Sequence, residues 1–256
     1  MLSIIACIKY VRSELVSTSQ SDNNYTINPY DLYMLKKFME IKKSFPCRVV
    51  SLTMGPPGCT EAVQRGIALG LDDVYLVSDP FFSGADTYAT THVLNKALDY
   101  IGQADIYAFG EKAIDGETGQ VPIGVASRLG LQCVTGVRDL DAIEEGKIIL
   151  KRQFTDCFEN AEAFTPCVLC FKGFTTKEPQ LSLMKLKQSR KHPPIVLNAK
   201  SLNIEKKQCG QDGSKTTVKN IVYTIHKRDV EILEGSPQLK AEAFRKLILE
   251  KWRNDY

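Results

Sequence analysis

DIYAFGEKAIDGETGQVPIGVASRLG, residues 105–130, is the stretch on which the fold turns. Its first six residues are an apolar run with strand character. Residues 111–120 are polar and hold two glycines, which marks a loop. Residues 121–129 are helical and stop at Gly130. Strand, loop, helix is one half of a βαβ unit, and the same order repeats upstream. Leu2 to Ile8 is a short continuous apolar run, as expected of a strand buried on both faces. Asn28-Pro29 opens a helix from Tyr30 to about Lys43, with Leu32, Leu35, Phe38 and Met39 on one face. Strand 48–55, helix 59–70, strand 73–78 and helix 86–101 follow. This alternation predicts a parallel sheet covered by helices, an α/β domain over residues 1–180.

Beyond residue 130 the pattern becomes strand-rich, at 131–138, 147–155 and 164–171. The segment 13–27 reads as a loop, and the chain after 178 reads as irregular and basic. It ends in a helix over about 237–254, with Leu239, Phe244, Leu247, Ile248 and Trp252 in one stripe. Residues 181–256 therefore read as a docking loop followed by an arm whose helix needs a partner surface. Charge agrees with that division. The net charge of +3 hides 16 Lys+Arg against 8 Asp+Glu after residue 181, and 17 against 22 before it. A basic arm on an acidic body points to a contact partner.

Other classes are excluded. No run approaches the ~20 apolar residues of a membrane span. The first strand begins beside the initiator Met, so the reading is an unprocessed, cytoplasmic protein. The eight Cys residues show no disulfide framework or metal spacing. Cys167 and Cys170 form a C-x-x-C, but inside an apolar strand, where they point to opposite faces and cannot meet. The basic run Lys185 to His192 lacks interleaved aromatic residues, so nucleic acid is set aside in favour of an acidic protein partner.

The loop 110–121 is the main candidate site. Ligands of open parallel sheets bind at carboxyl strand ends, and small residues before a helix expose backbone N–H groups to a phosphate. Thr118 and Gln120 add side-chain donors. The competing reading is a capped helix entry, with Asp115 or Thr118 as the cap. No G-x-G-x-x-G or P-loop is present.

Several ordered motifs resemble the electron transfer flavoprotein β-subunit family over nearly all of residues 1–195. They are Cys7-Ile8-Lys9, Asn28-Pro29-Tyr30-Asp31, Met54-Gly55-Pro56-Pro57, Ala68 to Asp72, Phe82 to Thr87 with Ala89-Thr90, Ala113 to Val121, Lys172-Gly173 and Glu178-Pro179. The resemblance implies a Rossmann-like domain of the adenine nucleotide alpha hydrolase type. It also implies a heterodimer with an α subunit that carries a redox FAD, and a second adenine-nucleotide site in this chain. The residues matching that site are Cys7, Asn28, Pro29, Tyr30, Asp31, Met54, and Gly110, Glu111, Lys112, Ala113, Ile114, Asp115, Gly116, Glu117, Thr118, Gly119, Gln120 and Val121.

Simple carriers of the family hold AMP there. The form Asp115-Gly116-Glu117-Thr118-Gly119-Gln120-Val121 is similar to that of electron-bifurcating members, which hold a second FAD that meets NADH. FAD is therefore favoured, with AMP as the alternative. No catalytic acid or base is implied. The family docks a flavin-dependent dehydrogenase, of the acyl-CoA type, through a Leu after Glu-Pro; here that is Leu183, or else Met184. The competing reading packs Leu183 on its own domain. The usual Arg-Tyr after Glu-Pro is Gln180-Leu181 here, which leaves the dehydrogenase open. A non-redox adenine-nucleotide module is the reading from another functional class.

Overall fold

The computed structural model describes residues 1–16, 25–217, 219 and 232–254, the last five of these by backbone alone. Residues 1–217 form one compact unit and 218–256 a second.

The chain begins with β1 (Leu2–Cys7), whose middle is buried as its apolar run requires. β2 (Tyr10–Arg12) then pairs antiparallel with β3 (Tyr25–Ile27), which lies within the region 13–27 read as loop. Then come α1 (Pro29–Ser44), β4 (Cys47–Met54), α2 (Thr60–Leu69), β5 (Asp73–Val77), α3 (Thr87–Ile101), β6 (Ile106–Gly110) and α4 (Val121–Leu129). The strand-rich part contains β7 (Cys133–Glu144), β8 (Lys147–Gln153), β9 (Phe158–Phe164) and β10 (Cys167–Phe171). Last in this unit are α5 (Leu183–Ser189), β11 (Ile195–Leu197) and the single turn α6 (Gly210–Gly213).

One nine-stranded sheet runs β11-β5-β4-β1-β6-β10-β7-β8-β9. From β11 to β7 the neighbours pair in parallel; β7, β8 and β9 are antiparallel. β1 leads through α1 to β4 on one side, and β5 leads through α3 to β6 on the other. The order therefore reverses beside β1, which places the switch point between β1 and β6. Two cores follow from the alternation of side chains. Ile4, Ala6, Val49, Leu169 and Phe171 face α1 and α2, around Leu35, Phe38 and Val63. Ile5, Val50, Leu52, Tyr107 and Val168 face α3 and α4, around Val93, Leu98 and Val125.

The strand read over 164–171 is β10, and it starts only at Cys167. Pro166 supplies no N–H for a ladder, so β9 ends at Phe164 and β10 begins at Cys167. β9 was missed because its sequence, FENAEAF, carries charge on an exposed edge. The compact unit also runs past residue 180. β11 pairs with β5, and Leu197, Leu202, Ile204 and Cys209 enter the second core. Such three-residue strands leave too short an apolar run to read from sequence. The end of this segment is tied to α3: Asp86 caps the helix through Ala89 N–H (2.9 Å) and accepts from Lys215 and Thr216 N–H (2.7 and 2.9 Å).

In the second unit, α7 (Pro237–Asn254) coincides with the helix expected there. Leu239, Phe244, Leu247 and Ile248 are exposed along it. The stripe position Trp252 lies outside the residues whose side chains are described.

Phe38 is fully buried and meets Phe171 edge-on at 5.2 Å between ring centroids. Phe38→Ala should cost about 3–5 kcal/mol in urea-induced unfolding, because it opens a cavity where α1 seats on the sheet.

Candidate functional site

β1, β4 and β6 end side by side. Cys7 lies opposite Leu52 on one neighbour and Phe109 on the other. Their last residues, Cys7, Met54 and Gly110, line the carboxyl edge at the switch point. Cys7 is buried, and burial first, then the charge of Asp31, pushes its thiol up and keeps it neutral. Met54 is half-buried and packs on the second core.

The first turn of α1 holds this edge together. Asp31 is buried beneath it, and its carboxylate accepts from Lys9 N–H (2.8 Å) and Gly110 N–H (2.9 Å). Burial outweighs these bonds and raises the carboxyl to about 6. Asn28 is also buried. Its amide donates to the Lys112 carbonyl (2.8 Å) and accepts from Ile114 N–H (3.2 Å), which fixes the start of the loop. Pro29 is the first residue of α1, where its missing N–H costs no bond. Tyr30 lies beside the Lys112 ammonium, 5.7 Å from its ring centroid. Gly110 must be glycine, because an added Cβ would strike the Asp31 carboxylate and the Tyr30 backbone.

The loop itself is shaped for an anion. Glu117 and Gly119 both have positive φ, 52° and 61°. A β-carbon residue in the left-handed region costs about 1 kcal/mol or more, and such strain concentrates at ligand sites. Glu117 N–H closes on the Ala113 carbonyl (2.8 Å), and its side chain pairs with Lys112 (3.3 Å). Thr118 and Gly119 have no hydrogen-bond partner among the described residues. Gln120, the residue before α4, makes no side-chain cap; its amide oxygen accepts from the Thr87 hydroxyl instead (2.9 Å). Neither Asp115 nor Thr118 caps the helix, so the capped-entry reading fails. An uncapped helix start beside a left-handed turn leaves N–H groups without a partner, and such groups can meet a phosphate. Gly116 faces open space, with nothing within 4 Å of an added Cβ.

Lys9 had drawn notice only as part of a motif, yet it completes the loop. Its ammonium bridges to Asp115 at 2.7 Å. Two of the three loop carboxylates, Asp115 and Glu117, are thus each balanced by a lysine, while Glu111 has no ion pair among the described residues. What remains to attract an anion is the helix start and the N–H groups. The signal for Lys9 was its place directly after the end of a strand.

Of the docking candidates, Leu183 is 85% exposed and Met184 73% exposed. They open α5, which Ser182 caps by accepting from Lys185 N–H (3.3 Å). The segment expected as a loop is therefore a short helix at this point. Its far end is held to α2, where Gln64 donates to the Ser189 carbonyl (3.1 Å). Cys167 and Cys170 are buried in β10, and burial pushes both thiols up to about 12. Among the described residues no His, Cys, Asp or Glu cluster could hold a metal, and no helix is long and apolar enough to cross a membrane.

The glycines give a paired prediction. Gly110→Ala should cost about 1–3 kcal/mol in urea-induced unfolding, while Gly116→Ala should stay within about 0.5 kcal/mol.

Residues 17–202 match the family model described as the electron transfer flavoprotein domain. The chain is 35% identical over 195 residues to caffeyl-CoA reductase-Etf complex subunit CarD of Acetobacterium woodii, covering 75% of this chain and 73% of that one. It is 34% identical over 212 residues to electron transfer flavoprotein subunit beta of Thermoanaerobacterium thermosaccharolyticum, with 82% and 80% covered. It is 30% identical over 236 residues to acryloyl-CoA reductase electron transfer subunit gamma of Anaerotignum propionicum, with 88% and 86% covered.

Proposed function

The chain belongs to the electron transfer flavoprotein family, of the β-subunit type, and from that premise we propose that it binds FAD at the loop Gly110–Val121 and pairs with an α subunit. The observation that carries the reading is the loop at the switch point, with its left-handed turn and the uncapped start of α4. The residues present fit a dinucleotide. Gly116, Thr118, Gly119 and the N–H groups at the start of α4 would hold the pyrophosphate. Cys7 and Met54, at two neighbouring carboxyl ends, and the first turn of α1 would receive the adenosine. FAD, when bound, supplies reversible acceptance of electrons from a donor such as NADH.

The work of this chain is then to bind and to orient. The helix start meets the phosphates with partial positive charge, worth about 0.3–1 kcal/mol at an exposed terminus and more when partly buried. Lys9 and Lys112 screen two of the loop's carboxylates, Asp115 and Glu117, which lowers the negative charge that incoming phosphates face. A carrier of electrons needs no acid or base from this chain. Leu183, exposed at the tip of a basic helix, suits a pocket with an acidic rim on a flavin-dependent dehydrogenase. The names of the relatives, two of which belong to CoA-thioester reductase systems, support that class of partner. The arm 218–256 is assigned to the α subunit, and the complex to the cytoplasm. AMP in this site remains the alternative, because adenosine monophosphate would use the same contacts.

The purified heterodimer tests the reading by acid release of its nucleotides and chromatography. Two FAD per heterodimer is the expected result; one FAD with one AMP supports the alternative, and no adenine nucleotide in this chain contradicts both. Gly116→Phe places a ring in open space and should cut nucleotide content at this site at least about fivefold, a loss of about 1 kcal/mol in binding. Leu183→Glu should slow electron transfer to the dehydrogenase by about tenfold or more, the loss of one buried apolar anchor. Nucleotide content should not change with it. An unchanged rate would remove Leu183 from the docking surface.

A further inference from the structure

Asp31 stands inside the site without facing it. Its carboxylate is buried, and both oxygens are turned inward, onto N–H groups at the ends of two different strands. One of those N–H groups belongs to Gly110, where the loop begins; the other belongs to Lys9, whose side chain grips the loop at Asp115. Asn28, one turn of chain earlier, acts on Asp31 by a side-chain hydrogen bond and holds Lys112 and Ile114 by its own. Four points of the loop and its base are therefore referred to one buried carboxyl group.

Resting on the nucleotide-binding reading above, we propose that Asp31 is the positioning residue of this site and that nucleotide binding takes up a proton there. The groups that act on it support the assignment. Lys9, two residues past the end of β1, is the charged side chain beside it. Cys7 from β1, Tyr10 from β2 and Cys170 from β10 also face it, and burial holds all three in their neutral forms through the neutral range. Burial likewise raises Asp31 itself, to about 6, against the two backbone bonds that pull it down. A phosphate at the start of α4 adds a like charge nearby, and its arrival excludes water from the loop. Both effects disfavour the ionised carboxylate and raise its pKa further. The sign follows: the bound form holds the proton more tightly than the free form, so affinity rises as pH falls through the region of 6.

The experiment titrates the nucleotide-free heterodimer with FAD, and separately with AMP, by calorimetry in two buffers of different ionisation enthalpy. Wild type should take up part of a proton near pH 6 and bind about three- to tenfold more tightly at pH 5.5 than at pH 7.5, since one pKa unit is a tenfold change. Asp31→Asn turns an amide N–H2 onto one of the two backbone donors. It is neutral at every pH and should lose that pH dependence, and any titration of the probe's own phosphate is common to both proteins. Equal proton uptake by wild type and variant would overturn the proposal. A carbon-13 measurement on wild type, made without nucleotide, needs no variant to fold: the Asp31 carboxyl should titrate near 6, and a midpoint near 4 would overturn it. If wild type bound neither probe at any pH, the nucleotide reading would fall and the proton linkage with it. The carboxyl midpoint would still decide whether Asp31 is the buried strut described.

Discussion

Burying one carboxylate at the carboxyl edge of a parallel sheet fixes most of what this site can be. The price is several kcal/mol for an ion without partners, and here it is offset by two backbone N–H groups that the ends of β1 and β6 would otherwise leave unpaired. The compensation is mutual. Strand ends at a switch point diverge, because the chains leaving them run to opposite faces of the sheet. Their terminal N–H groups therefore have no ladder partner. Asp31 supplies both, and Gly110 must lack a side chain for the helix to come close enough. The loop 110–121, the seating of α1 and the position of Lys9 all depend on that contact.

From the same constraint comes the division of labour in the loop. Asp115 and Glu117 pair with lysines and the first residues of the loop with Asn28, so its middle is left with unpaired N–H groups and a strained backbone. Strain of this kind persists only where the surroundings impose it. Here they impose it beside an uncapped helix, which is the arrangement a phosphate requires. On the proposed reading, nucleotide recognition rests on backbone rather than on charged side chains. The absence of a glycine fingerprint is consistent with that: left-handed geometry at residues 117 and 119 is reached with a single glycine.

Much of this was legible in the sequence. The apolar runs of β1, β4, β5 and β6 and the helices between them could be read because each is long, and buried on a regular period. The loop 110–121 could be located because it lies between a clear strand and a clear helix. Three kinds of feature were not legible. β9 is polar on its exposed edge, and so lacks the alternation that marks a strand. β11 is three residues long and takes its stability from β5, a pairing that no local pattern records. The side-chain direction of Asp31 was hidden for another reason. In sequence it sits among residues that the family resemblance places at the nucleotide site, and only the approach of Lys9 and Gly110, 22 and 79 residues away, turns it inward. Exposure of Leu183, by contrast, agrees with a docking role, since the competing packing on its own domain would have buried it.

The central claim is that the loop Gly110–Val121 holds an adenine nucleotide by its phosphates. A crystal structure of the heterodimer tests it most directly. The account predicts density for an adenosine phosphate at the carboxyl ends of β1 and β4, with its phosphate oxygens on the N–H groups of Thr118 and Gly119 and of the first turn of α4. Density for the nucleotide at another edge of the sheet, with this loop making no contact to phosphate, would contradict it.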